Sequence, residues 1–72
     1  MDGAENMLDY QIRVVEEKDE LDGKIERLAK FKQSEQFVSV PKDEQDRLTQ
    51  QLAVMREYSS ILGERIAAFE QG

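Results

Sequence analysis

From Leu48 onward the apolar residues fall on one stripe. Leu48, Leu52, Met55, Ser59, Leu62, Ile66 and Phe69 follow one another in alternating steps of four and three. That spacing keeps side chains on one face of an α-helix. Ser59, at the centre, is the single polar member. A lone helix would leave such a stripe in water, so something must cover it. The first half of the chain carries a matching seam: Met7, Gln11, Val14, Lys18, Leu21, Ile25, Leu28 and Lys32, widened by Leu8, Val15 and Phe31.

The pattern predicts a first helix over about residues 6–32, with Asn6 as its N-cap. Acid-first pairs four apart, Asp9–Arg13, Glu20–Lys24 and Glu26–Lys30, are expected to add roughly 0.2–0.5 kcal/mol each. Gly23 costs about 1 kcal/mol relative to Ala. It is either tolerated there or lets a backbone or ligand come close. Residues 33–41 break the period and read as a connector. Ser34, Ser39 and Pro41 punctuate it, and Phe37 is placed to close the end of the core. Pro41 disfavours helix at Val40 but suits a first helical turn. Asp43 and Glu44 follow, where the macrodipole favours acids. The second helix runs over about 42–69.

Two helices on a short connector pack antiparallel. Centring the register on the connector sets Leu28 against Leu48, Leu21 against Met55, Val14 against Leu62 and Met7 against Phe69. Lys18 then meets Ser59, and Gln11 meets Ile66. The expected core is Leu21, Ile25, Leu28, Leu48, Leu52, Met55, Leu62, Ile66 and Phe69. Leu8, Val15, Val54, Ile61 and Ala68 are left at the edges, and a two-helix layer has no third element to cover them.

A chain of 72 residues buries a small fraction of its surface. With neither Cys nor His present, disulfide and zinc staples are excluded. Self-association is the remaining route. The expectation is therefore an all-α protein: one domain over 1–72, a coiled-coil-like antiparallel two-helix hairpin. Copies of it assemble into a symmetric helical oligomer, from dimer to hexamer.

The net charge of −6, with 36% charged residues of both signs, reads as a well-solvated helical surface. No basic run is present, so direct duplex nucleic-acid binding is not expected. No apolar run reaches the ~20 residues of a membrane span. The acidic start, residues 1–6, lacks a signal core, which points to action in the cytoplasm.

No catalytic residue, metal ligand set or cofactor is indicated. No acid falls on the inner stripe, where burial shifts a pKa, and no phosphate-cradling glycine pattern occurs. Glu16, Glu17, Asp19 and Glu20 read as a solvated face. The unusual feature is the polar layer of Lys18 and Ser59. Lys18 either extends outward to an acid and helps fix the register, or it contributes to an anion site. Tyr58 lies close by, and Arg13, Arg56 and Arg65 are in helical reach. Arginines suit bidentate phosphate contact, and Gly23 and Gly63 provide room.

Two strings carry a family resemblance. One is Tyr10 through Leu28, with Arg13, Glu17, Leu21, Ile25 and Leu28 at its fixed points. The other is Gln51 through Ile66, fixed by Gln51, Leu52, Met55, Tyr58, Leu62, Arg65 and Ile66. Together they resemble small bacteriophage-encoded helical-hairpin proteins. These include short proteins related to a crAss-like phage product and the hairpin module of anti-Thoeris and anti-CBASS sponge proteins. The resemblance implies a counter-defence role in an infected bacterial cytoplasm. Such sponges form symmetric oligomers, often hexamers, and sequester cyclic oligonucleotide or cyclic ADP-ribose immune signals without cleaving them. The ligands sit between protomers against basic and aromatic side chains. By position, Arg13, Lys18, Arg56, Tyr58 and Arg65 are the ligand-binding candidates.

The chain ends where the longer anti-Thoeris sponges continue, which favours a cyclic di- or trinucleotide over cyclic ADP-ribose. The competing reading is a small acidic protein–protein inhibitor, of anti-CRISPR or nucleic-acid-mimic type, whose grip on a basic partner weakens with salt. A structural adaptor is the third.

Overall fold

A computed structural model describes residues 8–71, with side chains over 8–69. Helix α1 spans Asp9–Lys32, α2 Glu35–Val38 and α3 Lys42–Gln71. No strand occurs among the described residues. The molecule is a narrow rod of 53 × 17 × 15 Å.

Helices α1 and α3 pack side by side in opposite directions. Near the start of α1, Tyr10 meets Phe69 edge-on at 5.5 Å. At mid-length, the Lys18 ammonium donates to Ser59 Oγ at 3.1 Å. The register thus sets Lys18 level with Ser59. Val14, Leu21 and Leu62 form the buried centre, with Ile25, Met55, Ile66 and Phe69 packed against it. Leu52 is also buried, and Leu62 is fully enclosed. Leu28 and Leu48, toward the connector, are half-buried.

The expected Asn6 cap and the Met7–Phe69 pairing lie outside the described residues. Within them, Leu8 occupies the N-cap position in extended backbone. Its N–H donates to Gln11 Oε1 at 2.9 Å. This is one half of a capping box, in which a side chain three residues on reaches back to an unpaired donor.

The connector holds a structure that periodicity does not show, the single helical turn α2. Tertiary contacts fix it. Phe37 folds back edge-on against Phe31, centroids 5.8 Å apart, and closes the end of the core. Gln45 Nε2 donates to both Phe37 O (3.1 Å) and Val40 O (2.9 Å), so one amide ties α3 to the connector. Ser34 Oγ donates to Phe31 O at 2.6 Å and covers an end carbonyl of α1.

The expected acid-first pairs of α1 are not formed. The ion pairs among the described residues are Lys18–Asp22, Lys42–Asp46 and Arg47–Glu44. The reason is weak selection: exposed ion pairs are worth about 0–1 kcal/mol, and holding two long side chains in one geometry costs entropy. Gly23 admits no backbone neighbour. A Cβ there would meet only the flexible Arg27 Nη1, at 3.3 Å.

Candidate functional site

The two long helices present two broad faces on either side of the core, and the candidate residues divide between them. Lys18, Ser59 and Arg56 belong to the first face. Lys18 Nζ lies 2.8 Å from Asp22 Oδ2 and donates to Ser59 Oγ. Ser59 Oγ donates to Asp22 Oδ1 at 2.5 Å. Ser59 is 8% exposed, so this closed triangle satisfies a polar group inside the seam. Gly63, four residues past Ser59, leaves room for the lysine stem: a Cβ there would touch Lys18 Cε at 3.4 Å. Arg56, three residues before Ser59, shares the face and is exposed.

Asp22 is the member that sequence reasoning missed. The Lys18 ammonium, and next the Ser59 hydroxyl, hold its carboxyl below the usual 3.8. It stands beside the inner stripe rather than on it. Its signal is the i, i+4 spacing from Lys18, in the basic-first order that is weaker on an isolated helix. Lys18 therefore reaches outward to an acid as well as across to Ser59. An anion approaching Lys18 must compete with Asp22 for it.

Tyr58, Arg13 and Arg65 share the second face. The Tyr58 hydroxyl donates to the Glu17 carboxylate, which fixes this side of α3 against the same side of α1. Arg13 precedes Glu17 by four residues, and Arg65 follows Tyr58 by seven, so both project on that side. Arg13 lies between Tyr10 and Lys18, and Arg65 between their partners Phe69 and Ser59. The two arginines are thus level across the pair of helices. Both are exposed, and among the described residues neither enters an ion pair. Tyr58 is 42% exposed, flanked on its outer side by Val54 (57%) and Ile61 (49%). This face offers an aromatic ring, apolar surface and two guanidinium groups in one place. Its opposing charges include Glu17, with Asp9 four residues before Arg13 and Glu20 three after Glu17.

The exposed acids Glu16, Asp19 and Glu20 complete no metal-ligand cluster among the described residues. A shallow open groove of about 230 Å³ lies along α1, lined by Gly23, Glu26, Arg27 and Lys30; it takes in the glycine expected to provide room but none of Arg13, Lys18, Arg56, Tyr58 and Arg65. No helix among the described residues is long and apolar enough to cross a membrane.

Fold and surface together define a small all-α protein of two long packed helices, with its charged and aromatic groups displayed on open faces. The chain belongs to the Sequestin family, whose pattern it matches over residues 8–68. It is also similar to a protein of Enterobacteria phage T4 named as an uncharacterized 7.5 kDa protein in the denB-rIIB intergenic region. The two are 45% identical over 64 residues, which cover 89% of this chain and 100% of the relative. No solved structure matches. The resemblance to small phage-encoded proteins therefore stands.

Proposed function

We propose that this is a phage counter-defence protein that self-associates and sequesters a cyclic oligonucleotide immune signal without cleaving it. The observation that carries the reading is the face shared by Arg13, Tyr58 and Arg65. A nucleobase stacks on an exposed aromatic ring whatever its identity. Guanidinium groups take phosphate oxygens two at a time. Seven residues of helix separate Tyr58 from Arg65, about 10 Å along the axis, so the base and the phosphate have separate stations. Glu17 repels phosphate near Tyr58, which places the phosphate at the Arg13–Arg65 end. Lys18 and Arg56 face the other way and are secondary in this reading.

The phage relative supports the phage setting, and the family's name supports holding rather than turnover. So does the chemistry. The chain has neither His nor Cys, and Asp22 is tied into an ion pair on the opposite face. The test is calorimetry with a panel of cyclic di- and trinucleotides. At least one should bind at micromolar or tighter affinity and be recovered intact by mass spectrometry. Losing one charge-assisted contact removes about 1.5–3 kcal/mol. Arg13→Ala and Arg65→Ala should therefore each weaken that complex tenfold or more. Silence across the panel refutes the proposal.

A further inference from the structure

Helix α3 carries a second seam, displaced by one residue from the one that α1 covers. Arg47, Gln51, Val54, Tyr58, Ile61, Arg65 and Ala68 repeat the four–three alternation over three heptads. All seven are exposed. The other exposed large apolar residues are scattered: Leu8, Tyr10 and Ile12 at the start of α1, and Val38 in the connector.

We infer that a second copy of this chain docks along this seam, α3 against α3 in opposite directions, about a two-fold axis at Tyr58. The inference rests on the self-association part of the proposed function and names the face, which is also the ligand's, so a ligand would sit at the edge of this junction, between the copies, rather than on a free surface. The order of residues about Tyr58 is what selects a copy as occupant. In opposite directions, Val54 meets the copy's Ile61, and Ile61 the copy's Val54. Tyr58 meets Tyr58, and Arg65 meets Gln51. The apolar residues coincide on both sides, as an isologous contact requires. Parallel pairing would stack Arg47 on Arg47 and Arg65 on Arg65, placing like charges face to face. It would also align the helix dipoles instead of opposing them. The seam is about 30 Å long, the span of a three-heptad coiled coil. The hairpin needs the added burial, since a chain of this size makes a small core of its own.

Light scattering and sedimentation equilibrium on the full chain test the face. The expected mass is twice that of the chain, or a multiple of it. The Val54→Glu/Ile61→Glu pair should at least halve that mass, with helicity by circular dichroism retained, because both positions lie outside the α1–α3 core. Ile12→Glu, on another side of the molecule, should leave the mass unchanged. Because the chain has no native Cys, cross-linking reads the direction. A mixture of Val54→Cys and Ile61→Cys chains should form a mixed disulfide. Val54→Cys alone should not, since opposite running sets its two copies about 10 Å apart, beyond disulfide reach. A monomeric wild type overturns the inference, and so does Val54→Cys linking to itself. An oligomer indifferent to the glutamate pair also overturns it, while leaving self-association through another face and the calorimetry intact.

Discussion

The polar layer at the centre of the hairpin can be replaced to ask what it contributes. In Lys18→Leu/Ser59→Leu both seams become apolar at that level. Ser59 is 8% exposed and the Lys18 side chain 29%, so both positions bury most of what is put there. A fully buried leucine contributes about 1.5–3 kcal/mol; taking the low end, two contribute about 3. Against this stands the lost network. Its hydrogen bonds are partly exposed and screened, so they offset only a part of that gain. Asp22 survives without a partner, but its side chain is 46% exposed and water solvates it at little cost. The missing Cβ of Gly63 leaves space beside residue 18, which limits overpacking.

The net expectation is a gain of about 2 kcal/mol, as replacement of inward ion pairs by apolar groups often gives. Urea denaturation at several protein concentrations measures it and separates hairpin stability from association. The midpoint should rise. The amide spectrum should broaden, because without Lys18 opposite Ser59 a slipped register costs less. A midpoint at or below that of the wild type would show that the triangle outweighs apolar packing, and the reasoning would fail.

Three further outcomes follow from the same geometry. The Asp22 carboxyl is held below 3.8, first by Lys18 and then by Ser59. Its contribution is therefore present above that value and lost as pH falls through its lowered folded value. The stability gap between wild type and Asp22→Asn should persist at neutral pH and close on acidification below about 4, followed by thermal melts across pH; a gap that widens in acid contradicts the assignment. Gly23→Ala should raise stability by about 1 kcal/mol, because only the mobile end of Arg27 lies near the added Cβ. A fall would mean that this face of α1 needs its glycine. Leu62→Ala removes the fully enclosed side chain and should cost about 3 kcal/mol or more, whereas Leu48→Ala, half-buried, should cost about half as much. Equal losses would contradict the burial gradient along the rod.

What could be read from the sequence depended on how many residues carried each signal. The α3 seam repeats over three heptads, and its partner in α1 repeats alongside it, so helix, pairing and direction were all legible. Register was legible for a narrower reason: the connector is short, and centring the two seams on it sets Lys18 against Ser59, where the structure has them. Asp22 escaped because it stands beside the stripe, and its four-residue spacing from Lys18 runs basic-first, the weaker order on an isolated helix. The turn at Glu35–Val38 escaped because it exists through Phe31, Phe37 and Gln45, contacts made only after the hairpin closes. The grouping of Arg13 with Tyr58 and Arg65, apart from Lys18 and Arg56, needed the handedness of the packing, which a list of seam positions does not contain.

The two stripes of α3 differ in one respect that orders their uses. The stripe facing α1 has a single polar interruption, Ser59; its neighbour has three, at Arg47, Gln51 and Arg65. The first makes a permanent contact within the chain. The second is too polar to drive association as strongly, so the contact between copies inferred for it would be weaker and concentration-dependent. Those interruptions also keep the second stripe wet. An apolar residue at position 65 would tighten the pairing of copies but would remove the guanidinium beside Tyr58. In the inferred pairing, an apolar residue at position 51 would take away the uncharged polar partner that lets Arg65 sit at the junction without meeting its own kind. In the proposed assembly the strength of self-contact and the capacity to hold an anion would be set by the same few residues and trade against each other, so a variant that gains one should lose the other.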